Sequence, residues 1–373
     1  MITALASTLV IVFRRPLAVL TPWLVVLSVL AGLGVVSAGP AAGDPPSADP
    51  PSDPRPAAVV ALGDSAASGE GAEAYEPGTR GEGGDWCHRS ADAYVHHSGL
   101  APVAVNLACS GADSAAVRFG PGTHHTEPSQ AARLAQVARQ YRVTTVTLQL
   151  GANDDPALSD VAVACIRTFV DPLVGPCRTT VGRQWPGRLT AMAPKVEAAV
   201  GDVRTAMRDA GYPDDGYALV LLSYASPVTE RMDALHGAQG CPYSRPDAGW
   251  ARTVAFPQLG AALGEVAART GVRFLDLARA TEGREACSHP ADGQEWQRRL
   301  TVDPEALVHG HLDALGAHLF QESFHPSAAA HARIGGCLAE FVRSGERAAA
   351  CLPGTDGALH SAPAAAPATT AAA

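Results

Sequence analysis

Five short apolar runs constrain this chain more than any other feature. They are Ala57–Leu62, Val103–Ala108, Thr144–Leu150, Ala218–Leu222 and Val272–Leu277. Runs this short and this apolar fit strands buried on both faces of a parallel sheet. Between them the apolar spacing becomes helical. Ser129–Tyr141 opens on a serine suited to cap a helix, Leu189–Ala210 is Ala-rich, Phe256–Thr270 stops at Gly271, and Ser327–Val342 comes last. Strands alternating with helices predict an open α/β sheet with right-handed crossovers. In such a sheet the site forms beyond the carboxyl ends of the strands. Three runs bring small or polar residues there: Ser65 after the first, Gly111 after the second and Asn153 after the third.

Composition sets the outer bounds. A chain of 373 residues, 47% of them hydrophobic, can bury a sizeable core and is too apolar to be disordered. With 37 acidic against 28 basic residues it carries −9, which argues against a nucleic-acid partner, whose phosphates need clustered Lys and Arg. At the N-terminus, Arg14 and Arg15 precede an uncharged stretch from Leu17 to Ala38 that closes on Val36-Ser37-Ala38. Residues 1–38 therefore read as an export signal with small residues at the cleavage site. The competing reading is an uncleaved membrane anchor, since a spanning helix needs about 20 such residues. Residues 39–56, GPAAGDPPSADPPSDPRP, form a Pro-rich tether. The folded domain is expected over 57–352, and residues 353–373, mostly Ala, Pro, Thr and Gly, as a disordered tail.

All eight cysteines (Cys87, Cys109, Cys165, Cys177, Cys241, Cys287, Cys337 and Cys351) lie inside that domain, and none forms a CxxC pair. Zinc or thioredoxin-like chemistry has little support, and disulfides are the default in an exported chain. Neighbour pairing (87–109, 165–177, 241–287, 337–351) closes short loops and is the expected arrangement, although sequence alone permits others.

Gly63-Asp64-Ser65 ends the first strand and is followed by small residues, Ala66, Ala67, Ser68 and Gly69. That setting can lift a hydroxyl into open space, but read alone it equally describes a capping or turn serine. A serine hydroxyl is a weak nucleophile and needs a base. His325, in Glu322-Ser323-Phe324-His325-Pro326, stands just before the last helix, where Pro326 suits the first turn and restrains the loop. Glu322 could orient the imidazole. Taken alone, His325 is a surface-loop histidine with an acid nearby by chance. Acyl transfer also needs donors aimed at the developing oxyanion. The Ser65 and Gly111 N–H groups and the Asn153 amide would supply them, though Gly111 separately reads as a turn glycine and Asn153 as a cap.

Four segments carry a resemblance. GDSAASGEGA (63–72), NLACSGADS (106–114), LGANDD (150–155) and ESFHPSAAAH (322–331) resemble, in order, the four blocks of the SGNH/GDSL hydrolases. The cysteine pattern and the Cys87-His88-Arg89-Ser90 stretch resemble the secreted actinobacterial-type esterases and lipases of that family. The resemblance spans nearly the whole domain. It implies an α/β three-layer sandwich with a central five-stranded parallel sheet, flavodoxin-like in type. It implies Ser65 as nucleophile, His325 as base, an oxyanion hole of Ser65, Gly111 and Asn153, and no metal or organic cofactor. The family usually carries Asp three residues before the His. This chain has Glu322, one methylene longer, and some members use a backbone carbonyl in that role, so the third catalytic position stays open between the two.

The implied function is a secreted serine esterase or lipase of the extracellular space or cell envelope. It would act as a monomer on a small-molecule or lipid ester through an acyl-enzyme. A histidine base predicts activity rising through about pH 6–7. Aromatic residues are only 5% of the chain, which weakly disfavours a polysaccharide substrate. The alternative is a catalytically inactive envelope binding module of the same fold, supported only by the Asp-to-Glu change.

Overall fold

The computed structural model describes residues 53–154, 158–309 and 318–363. The expected export signal or anchor (1–38), residues 39–52 of the tether and residues 364–373 of the tail lie outside the described residues. Among the described residues, no helix is long and apolar enough to cross a membrane.

The five expected strands form: β1 (Ala57–Gly63), β2 (Val103–Asn106), β3 (Arg142–Gln149), β4 (Ala218–Leu222) and β5 (Arg273–Asp276). They stand in the order β2-β1-β3-β4-β5, with every neighbour parallel, the order of a flavodoxin-like sheet. The central sheet has seven strands rather than five. β6 (Ala348–Pro353) adds parallel to β5, and β7 (Leu359–Pro363) folds back antiparallel on β6. The chain expected to leave the domain at Pro353 thus stays in it as a hairpin through residue 363.

Tertiary partners, not local preference, select these two strands. Ala348-Ala349-Ala350 has no β-branched residue, but Ala349 pairs with Leu275 and Cys351 is bonded to Cys337. Pro363, on the edge strand, has no N–H to leave unpaired.

Among the described residues the longer helices around the sheet are α1 (Gln130–Gln140), α2 (Leu158–Val170), α3 (Cys177–Asp209), α4 (Phe256–Thr270) and α5 (Ala328–Ser344). The Ser129 hydroxyl caps α1 by accepting from the Ala132 N–H, and Gly271 stops α4 at φ +69°. α3 begins at Cys177 rather than at Leu189 and runs through Pro186 and Pro194. Each proline removes one internal hydrogen bond. Burial of Val181, Trp185 and Met192 and the Cys165–Cys177 bond hold the helix together across them.

Alternation along the strands divides the core. Val60 and Leu62 of β1 join Leu134 of α1, Val196 of α3 and Leu263 of α4. Val59 and Ala61 face the other way, into a cluster with Ile334, Leu338 and Phe341 of α5. The sheet is therefore the middle of three layers, buried on both faces. The four disulfides follow the expected neighbour pairing.

Candidate active site

The carboxyl ends of β1, β2 and β3 are fastened to one another. Gly63 sits at φ +138°, and a Cβ there would lie 2.0 Å from the Gln149 carbonyl oxygen, so only glycine fits. The Gln130 amide brackets Gly63, accepting from its N–H at 2.8 Å and donating to its carbonyl at 2.8 Å. The Cys109 N–H also reaches that carbonyl, at 3.1 Å. Directly after this clamp the chain turns into a single helical turn, Ser65–Ser68, capped by the Asp64 carboxyl on the Ala66 N–H. Ser65 is its first residue and stands at the carboxyl end of the sheet.

His325 arrives from the opposite end of the chain. Its Nε2 lies 2.7 Å from the Ser65 Oγ, across 260 residues of sequence. Its Nδ1 lies 3.1 Å from the Ser323 carbonyl oxygen. A carbonyl can only accept, so the proton sits on Nδ1 and Nε2 presents its lone pair to the serine hydroxyl. Gly71, at φ +81°, lies against this histidine, and a Cβ there would come within 3.0 Å of the His325 Cβ. The Arg298 N–H donates to the His325 carbonyl at 2.8 Å, which fixes the loop from the other side.

Glu322 does not orient the imidazole. Its buried carboxylate accepts from the Tyr75 hydroxyl at 3.0 Å and from Arg298 at 3.2 Å. Phe324, held at φ +61°, makes the tight turn that presents the Ser323 carbonyl to the ring, while Arg298 draws the glutamate aside. Of the two possibilities the sequence left open, the carbonyl is the one in contact.

Gly111 stands at φ +77° in the loop after β2, beside the His124 ring. The Cys87–Cys109 bond and the Ser110 N–H to Cys87 carbonyl bond secure that loop. The Asn153 amide donates to the Ala112 carbonyl at 3.1 Å, one residue beyond Gly111. The three loops that carry Ser65, Gly111 and Asn153 therefore meet at one end of the sheet.

Beneath them lies a polar network that sequence reasoning missed. Glu70 is fully buried. It contacts His88 Nδ1 at 2.9 Å and accepts from the Ser110 hydroxyl at 2.7 Å and the Gln321 amide at 2.8 Å. Burial works against its charge, but the His88 ring and these bonds outweigh it and hold Glu70 below the usual carboxylate range. Burial pushes His325 below its ordinary value, and the charges of Glu70 and Glu322 and the Ser323 carbonyl oppose that. Burial likewise pushes Asp64 up to about 7, against a 2.5 Å bond from the Tyr224 hydroxyl and the Ala66 N–H. The only sequence signal for Glu70 is an acid between two glycines, Gly69 and Gly71, immediately after the serine turn.

Residues 61–333 match the GDSL-like Lipase/Acylhydrolase family. Among solved structures, phospholipase A1 from Streptomyces albidoflavus is similar at 22% identity and a TM-score of 0.52, covering 78% of this chain and 99% of its own. An extracellular lipase from Streptomyces rimosus matches at 20% identity and a TM-score of 0.47, with 78% of this chain and 100% of its own covered. No match was found among curated proteins.

Proposed function

Because the chain belongs to the GDSL-like lipase/acylhydrolase family, and is by that membership a hydrolase of ester bonds, we propose that it is an exported serine esterase or lipase working through Ser65 and His325. The observation that carries this reading is the 2.7 Å contact between His325 Nε2 and Ser65 Oγ, with the tautomer set by a carbonyl.

The Nε2 lone pair takes the Ser65 proton as Oγ forms a bond to the ester carbonyl carbon. The carbonyl π electrons move to oxygen, and that oxyanion is held by the Ser65 and Gly111 N–H groups and the Asn153 amide. The imidazolium then gives its proton to the departing alkoxide, and the carbon–oxygen bond of the ester breaks. Water repeats the sequence on the acyl-enzyme and restores Ser65. While the imidazolium exists, its Nδ1–H strengthens its bond to the Ser323 carbonyl, and buried Glu70 favours the positive charge.

Export is supported by four disulfides, which persist in oxidising compartments. A fluorophosphonate probe tests the enzyme reading. It labels the wild type on Ser65, and Ser65→Ala loses both labelling and burst release from p-nitrophenyl butyrate. Wild-type turnover in that variant refutes Ser65 as the nucleophile, and a wild type that is neither labelled nor active leaves the binding module. A p-nitrophenyl ester series from acetate to palmitate then sets the acyl preference.

A further inference from the structure

α2 is an apolar helix with no buried residue. Its inner residues Leu158, Val161, Ala164 and Cys165 rest against the core. Asp160 and Arg167 stand seven apart on one charged flank of the helix, while Val163 and Val170, also seven apart, run beside it. Val163 is 64% exposed and Val170 73%. The following turn, Pro172–Val174, lifts Leu173 to 95% exposure with Val174 beside it. Phe169 packs on His236 and Gly237, which brings Leu235, 68% exposed, to the same patch.

The patch is held in place rather than frayed. Asp171 caps the turn by accepting from the Leu173 N–H at 3.0 Å, and Cys165 is bonded to Cys177 at the start of α3. The helix that carries it starts beside the candidate site, since the Leu158 N–H donates at 2.7 Å to the carbonyl of Ala152, the neighbour of Asn153.

We infer that this face docks on the surface of aggregated, uncharged or zwitterionic ester lipid, an inference that rests on the esterase or lipase reading. Three features select that occupant over a protein. Side chains that project singly from a helix flank and a turn suit insertion into an acyl layer. The helix that carries the patch starts at the loop that would hold the ester's oxyanion, so docking along it brings substrate toward the site. The chain's −9 charge suits a neutral headgroup layer and opposes an anionic one.

The test uses the full chain and phosphatidylcholine vesicles. Leu173→Trp is expected to gain blue-shifted emission on vesicle addition and to be quenched by brominated phosphatidylcholine. Val170→Asp with Leu173→Asp is expected to slow hydrolysis of a vesicle-borne ester on the order of 100-fold, while turnover of a dissolved short-chain ester stays within about twofold. Emission at position 173 unchanged by vesicles, or equal vesicle rates in wild type and double variant, overturns the inference and leaves the enzyme reading intact. A concentration-dependent dimer that the double variant abolishes assigns the patch to a second copy and also overturns it. Failure of the enzyme reading shows instead as a wild type inert on the dissolved ester.

Discussion

Glu322→Gln separates a carbonyl-oriented histidine from an acid-oriented one. Where a carboxylate bonds the imidazole and sets its tautomer, neutralising it costs about 10⁴ in kcat. Here Nδ1 is engaged by the Ser323 carbonyl at 3.1 Å, and the substitution leaves that bond in place. The variant would lack one ion pair to Arg298 and one charge acting on His325 through space, with Tyr75 still able to donate to the new amide oxygen. A tenfold rate change corresponds to about 1.4 kcal/mol, so the expected loss in kcat/KM is less than about tenfold. Some stability goes with the ion pair: about 1 kcal/mol for a partly buried pair, or roughly 2–4 °C in melting temperature. The assay is kcat and KM on a dissolved p-nitrophenyl ester, beside a thermal melt showing the variant folded. A folded variant slower by 10³ or more would mean that the glutamate, not the carbonyl, sets the ring, and the argument from the Phe324 turn would fail.

Other consequences follow from the same geometry. Asn153→Ala removes one proposed oxyanion donor and should lower kcat by about 10²–10³ with KM little changed; an unchanged kcat would remove Asn153 from the hole. In the proposed mechanism the active base is neutral His325, and burial disfavours its cation, so the acid limb of kcat/KM should fall below the ordinary imidazole value of about 6.5. Glu70→Gln removes a charge that favours the imidazolium, so that limb should move to still lower pH while kcat drops; a folded variant with an unmoved limb would make Glu70 purely structural. Asp64 is raised from 3.8 to about 7, so its contribution to stability is complete below pH 3.8 and is lost as the pH rises through about 7, on the order of 4 kcal/mol. Asp64→Asn cannot ionise, and its melting temperature relative to wild type should climb between pH 5 and pH 9; a difference that stays constant with pH would refute the shift.

The sequence made legible those parts of the molecule that depend on residue type at a strand end. β1 to β5 were readable because Val, Leu and Ala runs of that length have few other fates. Ser65, Gly111 and Asn153 followed as the small or polar residues at which three of the runs stop. The parts that stayed hidden depend on backbone conformation or on partners far along the chain. Ala348–Ala350 carries no strand signal, and its pairing is imposed by β5 and by a disulfide to α5. Glu70 looks like a turn acid until the Cys87–Cys109 bond brings the His88 segment beside it. The orienting group of His325 is the clearest case. Residue type points to a side chain, Glu322, and cannot choose between it and a backbone carbonyl. The atom in contact with Nδ1 is a main-chain oxygen, brought there by a phenylalanine at φ +61°. No residue letter encodes that oxygen, because every residue carries one. Its position follows from the Arg298–His325 and Phe324–Arg298 backbone bonds that pin the loop to residues 296–298. The same reasoning makes the Ser323 side chain dispensable for orientation, since its hydroxyl bonds Thr301 while the carbonyl alone faces the ring.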